Sequence, residues 1–308
     1  MIEFEKYHGT GNDFIVIDAN EPVVNRRRLA ADLCDRESGL AWGGSVGADG
    51  VLFLALEDGY ASPRVVMTLI QPDGSIASMC GNGARCATAW AAERTDSNVV
   101  MIDTQVGTRR ATVGEDGTIT IEMGSANFAP SAVRLARAEA LIEERVGELP
   151  VTAVDTGVPH AVAFVDDVSA IELDSVAPPV RHADVFERGA NVTLASPRGD
   201  GSASIGEEDG RDASINTFDQ RTYERGVEGE TRSCGTGAVA VAAVARKLGV
   251  IEDGSIGVHP PGGKSAIRFS NDGAMLTGPT EHEFTGRVSA DRPHTVEIDR
   301  ERNLVADD

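Results

Sequence analysis

Two cysteines each open a glycine-rich segment of the same form: Met79-Cys80-Gly81-Asn82-Gly83-Ala84-Arg85 and Ser233-Cys234-Gly235-Thr236-Gly237-Ala238-Val239. Each segment runs straight into alanine- and valine-rich chain. From Ala238 to Ala245 the residues are apolar without a break, so a helix there is apolar on every face and has to be buried. The first copy, Ala84–Ala92, is nearly as apolar, interrupted by Arg85. The two copies stand half of the 308-residue chain apart. A chain built this way is expected to fold as two similar α/β halves, each holding one buried helix with a thiol at its start.

A buried helix must still satisfy its first N–H groups. A ligand carboxylate can do so, helped by the helix dipole, and the glycines let that ligand approach the backbone. The same dipole favours thiolate over thiol. Two thiols that face one carbon from opposite sides can take a proton from one face and return it to the other. This is the chemistry of a racemase or epimerase that needs no cofactor. The carbanion between the two steps is held by backbone donors aimed at its carboxylate. A Schiff-base route needs a lysine, and neither motif contains one. The chain has three in all (Lys6, Lys247, Lys264), and Lys264 is expected on the surface. No metal site is expected, because the six histidines are scattered and Cys80 and Cys86 lack zinc spacing.

Four cysteines are too few and too widely spread for a disulfide framework, and Cys34 and Cys86 are expected as core residues. The net charge of −21 argues against nucleic acid as a partner. The longest apolar run, Ala238–Ala245, is far short of a membrane span, and the N-terminus has no signal-peptide pattern. A small molecule is therefore the expected partner, the cytoplasm the expected location, and a homodimer a candidate assembly.

Along the chain, strands are expected around the turn Gly9-Thr10-Gly11-Asn12, a helix over Arg26–Arg36, and further strands on either side of both cysteine helices. The polar, Gly/Ser-rich stretch Pro197–Asp212 is expected as an exposed insertion, and the Asp-rich end is expected to fray. Three further features are ambiguous by themselves. His160 reads equally as a structural group or as the edge of a site. Glu224-Arg225 reads as a surface pair or as a substrate contact. The N-terminal Gly-rich turn lacks both the Lys-Ser/Thr of a P-loop and the glycine order of a Rossmann turn.

In order and spacing, these segments resemble the diaminopimelate epimerase family. The resemblance rests on Tyr7-His8-Gly9-Thr10-Gly11-Asn12-Asp13-Phe14, Gly47-Ala48-Asp49-Gly50, Pro72-Asp73-Gly74-Ser75, both cysteine segments, Gly157-Val158-Pro159-His160 and Tyr223-Glu224-Arg225-Gly226. It implies an α/β (α+β) fold of two pseudo-symmetric domains, each a mixed β-sheet wrapped around a central buried helix. The halves are expected over residues 1–127, carrying Cys80, and 128–276, carrying Cys234, with 277–308 returning to the first half. It implies cofactor-independent epimerisation of L,L-diaminopimelate to the meso form, a step towards lysine.

Carried over by motif position, Cys234 is the proton acceptor for the L,L substrate and Cys80 the donor, with His160 and Glu224 supporting them. Gly81, Asn82, Gly235 and Thr236 would bind the reacting carboxylate. Asn12, Gln71, Asn191, Glu224 and Arg225 would contact the rest of the substrate. Gly50, Gln71 and Val158 stand where many members carry Gln, Asn and Asn, which bears on recognition of the distal end. The alternative is a proline or hydroxyproline racemase, a family that usually has His where Asn82 stands. A thiol redox switch and a phenazine-biosynthesis-like isomerase are more distant readings.

The charge also makes a prediction. Among 28 Lys and Arg only three are Lys, against 49 Asp and Glu, a balance suited to a salt-rich cytoplasm where carboxylate repulsion is screened. The melting temperature is expected to fall sharply when multimolar KCl is replaced by dilute buffer. A melting temperature independent of KCl would contradict the halophilic reading.

Overall fold

A computed structural model describes residues 1–42, 44–198, 216–251, 254–289 and 296–298. The chain divides into two compact units: Met1–Ile121 together with the described residues from Pro279 onward, and Glu122–Gly278. The Asp-rich end, and the expected insertion from residue 199 on, lie outside the described residues.

The first unit runs β1 (Ile2–Gly9), β2 (Asn12–Asp18), α1 (Arg26–Cys34), a small hairpin of β3 (Ala41–Trp42) and β4 (Ser45–Val46), β5 (Gly50–Glu57), β6 (Arg64–Ile70), β7 (Ile76–Ala77), α2 (Gly81–Thr95), β8 (Val99–Thr104), β9 (Gly107–Val113) and β10 (Ile119–Gly124). The second runs α3 (Pro130–Val133), β11 (Glu144–Val146), β12 (Leu149–Asp155), β13 (Pro159–Phe164), α4 (Leu173–Arg181), β14 (Asn191–Pro197), β15 (Asn216–Glu224), β16 (Gly229–Thr231), α5 (Gly235–Lys247), β17 (Ile256–His259), β18 (Ser265–Ser270) and β19 (Gly273–Gly278). Then β20 (Glu281–Val288) returns to pair with β1, and β21 (Val296–Ile298) pairs with β20.

The pairing pattern is the same twice. In the first unit β1–β2 is antiparallel, β2–β5 parallel, β5–β6 antiparallel and β6–β8 parallel. In the second, β12–β13 is antiparallel, β13–β14 parallel, β14–β15 antiparallel and β15–β17 parallel. A short hairpin strand, β7 or β16, precedes the cysteine in each. Each unit is thus a mixed sheet whose strands pack about one helix, α2 or α5. Every residue of α5 from Gly235 to Ala245 is buried, as its uniformly apolar sequence requires. In α2 the buried residues include Trp90 and Arg85, both nearly or fully inaccessible.

Local chemistry sets the ends of these elements. Asn25 caps α1 by accepting from the Arg28 N–H. The helix expected to reach Arg36 stops at Cys34, because Asp35 Oδ1 accepts from the N–H groups of Glu37 and Ser38 at 2.9 and 2.6 Å and folds the chain into a turn. Helix α4 answers to none of the elements expected above; it contains Pro178 and Pro179, and proline interrupts helical hydrogen bonding. Lys264, expected on the surface, is half-buried.

Two glycines in the left-handed region separate backbone strain from steric exclusion. Gly117 has φ +78° and open space where a Cβ would stand, whereas at Gly47, φ +73°, a Cβ would lie 2.4 Å from the Cys34 carbonyl oxygen. Gly117→Ala is expected to cost ~1–2 kcal/mol, the backbone term alone. Gly47→Ala is expected to exceed it by at least ~2 kcal/mol in denaturant unfolding, because overpacking is added. Equal costs would contradict this account of the 47 turn.

Candidate active site

In the first unit Cys80 is the N-cap of α2, and its sulfur accepts from the Gly83 N–H at 3.4 Å. Asn12, at the start of β2, turns its carbonyl towards this helix end. Asn12 Oδ1 lies 3.9 Å from Cys80 Sγ and accepts from Asn82 Nδ2 at 3.3 Å. The other end of the Asn12 amide donates to Asp49 Oδ2, which fixes the amide's orientation. Asp49 is held in turn by Arg36 at 2.5 Å, and Arg36 also grips Asp13, the partner of Lys6. Burial raises the Asp13 carboxyl, but Lys6 and Arg36 outweigh it and hold the group below the usual carboxylate range. Asp49 is pushed up by burial and by the Asp13 charge. This ion cluster is the platform under Asn12.

Asn82 is fixed from its far side. Arg85 Nη2 donates to Asn82 Oδ1 and to Thr10 Oγ1, each at 2.9 Å. Arg85 is fully buried, and its Nε and Nη1 have no hydrogen-bond partner among the described residues. Burial pulls it down to about 10, so it remains a cation at neutral pH. Gln71 follows β6, and its side chain accepts from Ser75 Oγ at 3.0 Å, within its own turn. At Gly50 a Cβ would lie 2.6 Å from Leu69 Cδ1, so that space is filled by leucine.

In the second unit Cys234 occupies the N-cap position of α5, and its sulfur lies 3.4 Å from Thr236 Oγ1. His160 Nε2 lies 3.0 Å from the same hydroxyl, and Nδ1 lies 3.0 Å from Thr193 Oγ1. Asn191 Nδ2 is 3.4 Å from His160 Nε2, while Asn191 Oδ1 accepts from the Arg225 N–H at 2.8 Å. Glu224 ends β15 and Arg225 follows it; Glu224 Oε1 accepts from Thr231 Oγ1 at 2.5 Å, and Arg225 Nη1 lies 3.5 Å from the Arg188 carbonyl. Val158 brings no side-chain hydrogen bond to this end. Burial, with a smaller contribution from Arg225, pushes His160 down to about 3, so its imidazole is neutral.

The structure therefore gathers Asn12, Cys80, Gly81 and Asn82 at one helix start, and His160, Asn191, Cys234, Gly235 and Thr236 at the other. The backbone of Arg225 ties β15 to the second group. Cys34 and Cys86 are buried, and burial pushes both thiols up to about 12, which suits core residues. Arg85, Thr193, Thr222 and Gln220 were not singled out in the sequence. For Thr193 the signal there is a polar residue among apolar neighbours on a strand; Gln220 and Thr222 lie in polar sequence and give none. No group of three or more His, Cys, Asp or Glu placed to hold a metal ion occurs among the described residues, and no helix there is long and apolar enough to cross a membrane.

The family model for diaminopimelate epimerase matches residues 4–129 and 152–283, which takes in both cysteine segments. The chain belongs to the diaminopimelate epimerase family. A diaminopimelate epimerase of Methanocella arvoryzae is 40% identical over 94% of this chain and 98% of that protein. One of Methanothrix thermoacetophila is 36% identical over 96% and 99%. Among solved structures, a hydroxyproline epimerase from Agrobacterium vitis aligns with a TM-score of 0.60 at 16% identity, covering 92% of this chain and 91% of that one. A Bacillus anthracis protein of the PhzF family aligns with a TM-score of 0.63 at 14% identity, covering 92% and 97%. These two share the fold with the family member described here.

The buried neutral histidine predicts an acid-sensitive term in stability. The unfolded His160 binds a proton below about 6.5, whereas the folded one resists until about 3. Its contribution is present above the unfolded value and is lost as pH falls through this window. The gap in melting temperature between wild type and His160→Gln is expected to narrow between pH ~7 and pH ~4. A constant gap would contradict a buried neutral imidazole.

Proposed function

We propose that this chain interconverts L,L- and meso-diaminopimelate, and that it does so with two thiols and no cofactor. The reading is carried by one observation: the family match spans both cysteine segments, in a chain 40% identical to a diaminopimelate epimerase over nearly its full length. In the forward direction Cys234, as thiolate, removes the α-proton of the L,L substrate. Cys80, as thiol, gives a proton to the opposite face, and the roles exchange in reverse. The unlike surroundings of the two sulfurs support this assignment. Cys80 faces a carbonyl oxygen locked by Asp49, which can only accept, as suits a thiol donor. Cys234 faces a hydroxyl, which can donate to a thiolate.

The N–H groups that open α2 and α5, at Gly81-Asn82 and Gly235-Thr236, hold the reacting carboxylate. They place partial positive charge where negative charge develops in the carbanion. Asn12, Gln71 and Asn191 are the amide contacts to substrate. Arg225 is the partner of the distal carboxylate, with Glu224 for an ammonium group. His160 supports Cys234 through Thr236. The reaction belongs to lysine biosynthesis in the cytoplasm, and the assembly to be tested is a homodimer, by light scattering.

Proton NMR of L,L-diaminopimelate with the reduced protein in high-salt D2O, with no cofactor added, is expected to show loss of the α-proton signal and appearance of the meso isomer. No exchange by folded protein, with exchange of proline or hydroxyproline under the same conditions, would replace this reading by the racemase. Cys80→Ser and Cys234→Ser are each expected to fold, and to lose turnover by at least ~10²-fold. Full activity in either would remove the two-thiol mechanism.

A further inference from the structure

The repeated topology allows the two helix environments to be compared position by position. The parallel pairs align Phe14 with Gly50 in the first unit and His160 with Asn191 in the second. The next pairs align Leu52 with Leu69, and Thr193 with Thr222. Phe14 and His160 therefore hold one place in the repeat, Leu52 and Thr193 a second, and Leu69 and Thr222 a third. Two residues before the last lie Met67 and Gln220. All eight are buried. The same fold fills this space with hydrocarbon in one unit and with hydrogen-bonding groups in the other, so the fold itself does not require the polar set.

The polar set is connected. Gln220 Nε2 donates to the Cys234 carbonyl at 3.3 Å and to Thr222 Oγ1 at 2.9 Å. The carbonyl fixes which end of the amide points here, since Oε1 in its place would face another oxygen. Thr222 Oγ1 lies 3.3 Å from Thr193 Oγ1, which lies 3.0 Å from His160 Nδ1. The chain continues through Nε2 to Thr236 and to Cys234 Sγ. The second glycine of the motif makes room for it: a Cβ on Gly237 would lie 2.6 Å from Gln220 Nε2 and 3.1 Å from Thr222 Oγ1. At the matching Gly83 the nearest group is the methyl of Leu52, at 3.3 Å.

Because Gln220 can only donate at its end, the chain has a preferred direction. Thr222 accepts from Gln220 and donates to Thr193; Thr193 donates to Nδ1; Nε2–H donates to Thr236; the Thr236 hydroxyl then points its proton at Cys234. Every hydroxyl proton has an acceptor when that sulfur is a thiolate. If the sulfur is protonated and gives that proton to Thr236, the His160–Thr236 part reverses and one hydroxyl proton of Thr193 or Thr222 loses its acceptor within the chain; if the thiol instead keeps accepting from Thr236, it is a weaker acceptor than the thiolate. Asn191 Nδ2, at 3.4 Å the longest contact to His160, favours the reversed state. Resting on the two-thiol reading above, we propose that Gln220, Thr222 and Thr193 are positioning residues that act through His160 and Thr236 to hold Cys234 as the thiolate.

His160 is neutral, so the chain carries no charge of its own. Besides His160, charged or titratable groups on the strands packed against α5 are Asp155, Asp219, Arg221, Tyr223, Glu224, His259 and Arg268. Arg246 and Lys247 sit at the far end of that helix. The charge felt at His160 is that of Arg225.

The test is an ultraviolet thiolate titration in a Cys80→Ser background. Burial pushes Cys34 and Cys86 up to about 12, so their signals are separated from that of the remaining thiol, Cys234. Thr193→Val and Thr222→Val are each expected to raise the Cys234 midpoint by about one pH unit, a tenfold loss of thiolate at fixed pH. Thr193→Ser, which keeps the hydroxyl, is expected to leave it in place. Should the valine variants not fold, Gln220→Met, the residue used at that place in the first unit, is expected to raise the midpoint likewise. An unchanged midpoint in the folded variants would overturn the proposal. The titration needs no substrate, so it stands or falls apart from epimerisation. A protein that shifts as expected yet epimerises nothing would refute the function and keep the chain.

Discussion

The structure depends on burying the start of a helix. Alanine in α2, and alanine with valine in α5, make these helices apolar enough to sit inside their sheets, but their first N–H groups have no backbone partner within the helix. In water those groups would be solvated. Inside a sheet they become a fixed cluster of donors with partial positive charge. Gly83 and Gly237 let the sheet pack close behind each helix start, where a Cβ would meet Leu52 or Gln220, and a cysteine at the cap position puts a sulfur at its edge. A carboxylate and a thiolate are the two anions such a place accommodates best. An α-amino acid undergoing proton exchange beside a thiol presents both.

The two units use one strand plan and diverge in what surrounds the sulfur. The first places cations and carboxylates under Asn12 and a buried arginine behind Asn82, while the space behind its helix is hydrocarbon. The second reverses this: its loop before β13 carries Val158 in place of an amide, and its interior carries a neutral histidine and two threonines. One strand plan with unlike electrostatics can give two chemically equal side chains unequal tasks. A proton donor and a proton acceptor must differ in this way at the moment substrate binds.

The sequence carried the cysteine helices, their burial and the strand runs beside them, because apolar periodicity and glycine position are local signals. The helix expected over Arg26–Arg36 was legible to within two residues of its end. What stayed hidden was non-local. Helix α4 was masked by its prolines. The full repeat was masked because Phe14 answers to His160 and Leu52 to Thr193, substitutions that leave no trace in a pairwise reading of motifs. Asp49 and Arg85 were visible as members of motifs, but Asp49's hold on Asn12 and Arg85's on Thr10 depend on side chains brought together across dozens of residues. His160, equivocal as one histidine after a Val-Pro turn, acquires a direction only from its partners.

The claim on which the account turns is that two different groups handle the two faces of one carbon. It is tested most directly by following deuterium at the earliest stage of the reaction in D2O, with the L,L and meso isomers separated and weighed by mass spectrometry. The account predicts that newly formed meso product carries one deuterium, while the remaining L,L substrate carries none, because Cys80 delivers solvent-derived hydrogen to one face and Cys234 returns what it took to the other. Deuterium entering the residual L,L substrate as fast as meso product forms would mean that one base serves both faces, and would contradict it.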